Sequence, residues 1–123
     1  MRKITIEKTE KNDQQLWLIS DEPSFSLEGA KPKHYMLADS DHVAFVYILE
    51  VDDEFAYVVI PQSLWGELKA VLNHQLRVFL QSGTVRLELT GFKEELTYLI
   101  ENIEGNANYG EEMEKAVKDI FLT

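Results

Sequence analysis

The sequence contains no cysteine. That absence excludes disulfide staples, thiolate nucleophiles and cysteine-based zinc or iron–sulfur sites, and it fits a reducing compartment. Lysine and arginine are missing from His34 to Leu68, whereas Asp39, Asp41, Glu50, Asp52, Asp53, Glu54 and Glu67 all fall there. Over the whole chain 12 basic residues stand against 22 acidic ones, a net charge of −10. Such a surface repels phosphate backbones and anionic bilayers, so neither nucleic acid nor a membrane is expected as a partner; a basic protein is compatible with it. No apolar run reaches transmembrane length and no secretory leader is read, so the expected compartment is the cytoplasm. P-loop, dinucleotide-binding and nucleophile-elbow patterns are absent too.

What is present centres on Asp41 to Leu72. Val43–Leu49 and Phe55–Ile60 are uninterrupted apolar or aromatic runs rich in β-branched residues, which at this length favours strands. Strands wetted on one face alternate, and these do not, so both faces of the hairpin need cover. Its turn lies within Val51-Asp52-Asp53-Glu54. A two-residue Asp52-Asp53 loop sets Tyr47 opposite Val58; a three-residue loop, Asp52 to Glu54, sets Tyr47 opposite Val59. The longer loop is the expected one, because Asp-Asp lacks the glycine that tight primed turns prefer. It gathers Phe45, Tyr47, Phe55 and Tyr57 on one face, whereas the shorter splits them. Pro61 suits the first turn of a helix, and Leu64, Trp65, Leu68, Val71 and Leu72 form its apolar stripe, with Asn73 as a left-handed cap.

The flanks complete one domain of 123 residues. Arg2–Glu10 alternates and, through Lys11–Gln14, forms a first hairpin with Leu16–Ile19. Pro23–Gly29 is read as a single helical turn and Tyr35–Ala38 as a short strand, because a long structureless loop is unusual in a compact domain. Leu76–Gln81 and Thr84–Thr90 pair through Ser82-Gly83. Phe92, Leu96, Leu99, Ile100 and Ile103 mark a second helix capped by Thr90, and Tyr109, Met113, Ala116, Val117, Ile120 and Phe121 a third. The expected fold class is α+β: a mostly antiparallel sheet of six or seven strands with three amphipathic helices packed on one face, in the order β-β-(β)-β-β-α-β-β-α-α.

The segments ADSDHVAFVYILE, PQSLWGELK and NIEGNANYGEEM resemble a family of small bacterial proteins from Bacillus-type Gram-positive organisms. The resemblance covers most of the chain, and the last segment is its most distinctive part. The family has no assigned activity, cofactor or catalytic residue, so nothing functional carries over to any position here. It implies a bacterial, cytosolic setting and a domain that stands alone.

Three groups of residues are candidate sites. Phe45, Tyr47, Phe55 and Tyr57 would form a large apolar patch if the chain's own helices leave their face open, and such patches mark interfaces, here with a second copy or another protein. Asn106, Asn108 and Tyr109 would form a recognition loop between the last two helices. The bland alternative is punctuation, with Gly105 ending one helix and Asn108 and Glu111 forming a capping box for the next. His34, Asp39, Asp41 and His42 could ligate a metal or move protons, but no metal-site spacing is present and a polar turn explains them as well. No catalytic residue, metal or cofactor is assigned. The reading is a non-catalytic interaction or regulatory module that self-associates. The alternatives are a small enzyme or ligand-binding protein with a pocket beside His34–His42, and an acidic mimic of nucleic acid.

Overall fold

The computed structural model describes residues 2–122. Its strands are β1 (Arg2–Thr5), β2 (Lys8–Lys11), β3 (Gln15–Ser20), β4 (Lys31–Asp39), β5 (Ala44–Val51), β6 (Glu54–Pro61), β7 (Arg77–Ser82) and β8 (Val85–Glu88). The helices are α1 (Trp65–His74), α2 (Phe92–Ile103) and α3 (Glu111–Phe121). The α+β class and the prevalence of antiparallel pairing hold. The eight strands form two mixed four-stranded sheets, β1-β6-β5-β4 and β2-β3-β7-β8, where the sequence suggested six or seven strands in one sheet. Among the described residues, only β1 with β6 and β3 with β7 run parallel.

One extended segment joins the sheets. Arg2–Glu10 looks like a single alternating strand, and its two halves serve different partners. After β1 the Ile6 N–H donates to Val59 O at 2.9 Å, and one residue later the Glu7 N–H donates to Ile19 O at 2.9 Å. Ile6, 1% exposed, plugs that crossing. Alternation reveals which face is buried but not which neighbour supplies the hydrogen bonds.

The three helices cover the inner face of the first sheet. Phe45 stacks on Trp65 of α1 with ring centroids 4.1 Å apart and lies 6.1 Å from Phe121 of α3, while Tyr47 lies 6.1 Å from Phe92 of α2. The Trp65 indole N–H donates to Ile60 O at 3.0 Å, so its burial leaves no orphan donor. Leu16, Leu18, Val78 and Leu80 bring the second sheet into the same continuous core. Its outer face carries the stacked pair Trp17 and Phe79, each with an arginine over its ring, Arg86 and Arg77.

The central hairpin corrects the expected register. Val51 pairs with Glu54 and Tyr47 with Val58, so the loop is Asp52-Asp53 alone. Both residues are left-handed, with φ of 52° and 62°, the primed geometry that matches strand twist. Aspartate tolerates that region better than most residues because its short carboxylate can bond locally. The four aromatics therefore do not share a face. Phe45 and Tyr47 are 0% exposed in the core; Phe55 and Tyr57, opposite Glu50 and Ile48, lie on the outer face.

Other boundaries move as well. Residues 21–30 form a loop anchored by Leu27, without the helical turn expected at Pro23–Gly29, and β4 is longer than Tyr35–Ala38. Gln75, not Asn73, takes the left-handed position after α1, and Gly91, not Thr90, precedes α2. The Asn108–Glu111 capping box does not form. Asn106 instead accepts the Asn108 N–H at 3.0 Å, and Gly110 precedes α3 with no side-chain cap.

Strand β4 is bulged between Pro32 and Met36, and His34 sits there with φ 54°. Its N–H donates to Tyr47 Oη at 3.3 Å, and Tyr47 Oη donates to Thr90 O at 2.6 Å. The His34 Nδ1 lies 2.7 Å from Thr90 Oγ1, and the Met36 N–H donates to Glu95 Oε1 at 3.1 Å. The bulge is thus tied to β5 and to the start of α2, which fixes where β4's outward side chains stand.

Two outcomes follow from these features. Asp53→Gly should raise stability by about 1 kcal/mol and melting by a few degrees, since glycine carries no left-handed penalty; an unchanged or lower melting temperature would argue against strain in the turn. Tyr47→Phe should cost about 1–2 kcal/mol by leaving the Thr90 carbonyl and the His34 N–H without their partner. Burial, seconded by Glu95, pushes the Tyr47 hydroxyl above its ordinary range. The folded state therefore holds that proton more tightly than the unfolded chain. This contribution is complete below about pH 10 and fades as pH rises through the folded value. Alkaline denaturation should accordingly show a shallower stability loss above about pH 10 in Tyr47→Phe than in the wild type.

Candidate functional site: an open apolar sheet face

The outer face of the first sheet follows directly from the two-residue turn. Residues of β5 and β6 that do not point at the helices point here: Val46, Ile48 and Glu50 opposite Val59, Tyr57 and Phe55. On β4, Met36 is buried against the helices, so its neighbours Tyr35 and Leu37 face outward. Phe55 is 54% exposed, Tyr35 52% and Leu37 38%, although large apolar side chains normally seek cover. Between them Val46 and Ile48 are nearly inaccessible, at 7% and 4%.

These side chains shape a groove of about 590 Å³ lined by Lys33, His34, Tyr35, Leu37, Ile48, Phe55 and Tyr57. Ile48 of β5 is its floor. Tyr35 and Leu37 of β4 form one wall, and Phe55 and Tyr57 of β6 the other. The groove therefore runs along β5. Its charges sit at the borders: Lys3 in register with Tyr57, Lys31 in register with Glu50, and Lys33 Nζ 3.4 Å from Glu50 Oε1. The chemistry on offer is apolar area and shape, with both ammonium and carboxylate groups at the rim, Glu50 and the turn aspartates Asp52 and Asp53 among them.

The remaining candidates are placed elsewhere. His34 and Asp39–His42 do not converge: His34 turns to Thr90, while His42 Nδ1 pairs with Asp39 Oδ2 at 2.9 Å on an exposed turn. Partial burial works to raise the Asp39 carboxyl, but hydrogen bonds and charge from His42 outweigh it and hold the group below its ordinary range. Asp41 is exposed beside them. Among the described residues no group of three or more histidine, aspartate or glutamate side chains could hold a metal ion. In the interhelix loop Asn108 is exposed, Asn106 is occupied as an acceptor, and Tyr109 packs against the core. The asparagine that bonds locally in this loop is Asn106, where the capping box expected Asn108. A second crevice, about 530 Å³, is lined by Glu22, Glu28, serines and Thr84 without any histidine, lysine or arginine.

The sequence pointed to two of the five apolar side chains of the open face, Phe55 and Tyr57, but grouped them with Phe45 and Tyr47. It missed Tyr35, Leu37 and Ile48. The alternation of Tyr35 and Leu37 with Met36 and Ala38 was the available signal. Nothing in it told which of the two sets would meet the helices.

Among the described residues no helix is long and apolar enough to cross a membrane. A family model described as a family of unknown function (UPF0738) matches residues 4–121. The chain is similar to a UPF0738 protein of Geobacillus sp. (strain WCH70), 63% identical over 122 residues, covering 99% of this chain and 98% of the relative. It is 55% identical over 92 residues to the UPF0738 protein YjbL of Bacillus subtilis, covering 75% of each, and 39% identical over 120 residues to one of Bacillus cereus, covering 98% of each. No solved structure matches. A match across nearly the whole length, from β1 to the last residue of α3, places the chain in the UPF0738 family, a bacterial family of unknown function.

Proposed function

We propose that the chain is a non-catalytic protein-interaction module of the bacterial cytosol and that its docking surface is the outer face of the β1-β6-β5-β4 sheet. One observation carries this reading: Tyr35, Leu37 and Phe55 stand exposed around a nearly inaccessible Ile48 while all three helices cover the opposite face. Contiguous apolar patches of this kind mark interfaces in soluble proteins, and an aromatic-walled pit is the shape that accepts an anchoring side chain.

The test is photo-crosslinking in a Bacillus host, with a benzophenone side chain introduced at Phe55 or, as control, at Tyr98, which is 62% exposed on α2. The expected result is a discrete protein adduct from position 55 and none from position 98. An adduct of twice the chain's mass identifies a second copy as the occupant. Labelling that is absent or equal at both positions overturns the reading. Because Phe55 already faces solvent, Phe55→Ser should alter stability by no more than about 0.5 kcal/mol while abolishing the adduct of a crosslinker placed at Leu37.

A further inference from the structure

We infer that Glu95 is an edge guard: its carboxylate occupies the backbone N–H through which β4 would otherwise pair, antiparallel, with β4 of a second copy. The inference concerns the edge of the first sheet and is independent of what covers its face.

Edge strands present rows of unpaired N–H and C=O groups to other strands, and folds keep such edges short or blunt them. Among the described residues three of the four edge strands, β1, β2 and β8, have only four residues each. The fourth, β4, has nine. Along it the donors on the open side are withdrawn one after another. Pro32, in register with Leu49, has no N–H to offer. The bulge turns the His34 N–H inward to Tyr47 Oη. Met36 is in register with Tyr47, yet its N–H points away from β5 and donates to Glu95 Oε1 at 3.1 Å. Glu95 is half-buried in the first turn of α2, which reaches this edge from the inner side of the sheet. Backbone groups alternate sides along an antiparallel strand, so Ala38 presents its N–H to the same open edge without a cap.

Without the carboxylate, Met36 and Ala38 would form an unguarded pair of donors beside their own carbonyls. A twofold antiparallel pairing centred on Leu37 sets Met36 of each copy opposite Ala38 of the other, and both pairs exchange their hydrogen bonds. It sets Tyr35 opposite Asp39, so no like charges face each other between positions 35 and 39. Leu37, 38% exposed, meets its own counterpart on the outer face. This self-match makes a second copy the strand that the guard excludes.

The chain has no cysteine, so Leu37→Cys supplies a single thiol at the centre of the pairing. Cα atoms of a non-hydrogen-bonded pair lie about 4.5 Å apart there, within disulfide reach. Under mild oxidation Leu37→Cys alone should stay unlinked, whereas Leu37→Cys, Glu95→Ala should become mostly disulfide-linked dimer. Glu95→Gln removes the same charge but keeps an acceptor oxygen, so Leu37→Cys, Glu95→Gln should stay unlinked. Adding Ala38→Pro to the alanine variant deletes the other edge donor and should abolish the dimer. Melting curves of all variants control for folding.

Hydrogen exchange tests the guard in the wild type, without any substitution. The Met36 amide should exchange at least about tenfold more slowly than that of Ala38. Equal rates, crosslinking in no variant, or a dimer that survives Ala38→Pro would overturn the inference. A disulfide dimer of Leu37→Cys with Glu95 in place would also overturn it, while leaving the interaction reading intact.

Discussion

Strand β5 is buried on both faces, and the rest of the molecule is arranged to meet that demand. Its inner residues, Phe45, Tyr47, Leu49 and Val51, are sealed by α1, α2 and α3 together with the inner residues of β6. Burying each large side chain contributes about 1.5–3 kcal/mol, so the hairpin and the helices stabilise one another. The outer residues Val46 and Ile48 have no such layer. They are shielded by the neighbouring side chains on β4 and β6, and that lateral shielding leaves Tyr35, Leu37 and Phe55 in contact with water.

Polar detail holds that face in place. The bulge at His34 lets β4 carry Tyr35 beside Ile48, and Tyr47 Oη fastens the bulge from inside by bonding to both His34 and Thr90. A core tyrosine thus positions a surface groove on the other side of its own sheet. Histidine 34 consequently reads as a backbone turning point whose imidazole bonds to a threonine, and Asp39 with His42 as an exposed turn.

Charge acts at two scales in this chain. The total of −10 governs long-range approach and solubility. Recognition depends on charges within a few ångströms of the contact, because screening removes the rest beyond about 8–10 Å. Around the apolar face both signs are close at hand: Lys3 and Lys31 on β1 and β4, the Lys33–Glu50 pair, and Asp52 and Asp53 at the exposed β5–β6 turn.

By itself the sequence determined the class of fold, the existence and face of each helix, the hairpin at its centre and the need for cover on both sides of that hairpin. Those properties are local: apolar spacing along Leu96–Ile103 or Met113–Phe121 selects a helix face, and unbroken runs such as Val43–Leu49 exclude a wetted strand. Only the tertiary structure decided the hairpin register, the division of Arg2–Lys11 between two sheets and the set of aromatics that stays open. Each of these is a choice between near-equal local options. Two aspartates form a primed turn nearly as readily as a longer loop, and an alternating strand accepts either neighbour. What decided between them was long-range packing: the register that puts Phe45 on Trp65 and Tyr47 beside Phe92 also turns Phe55 and Tyr57 outward.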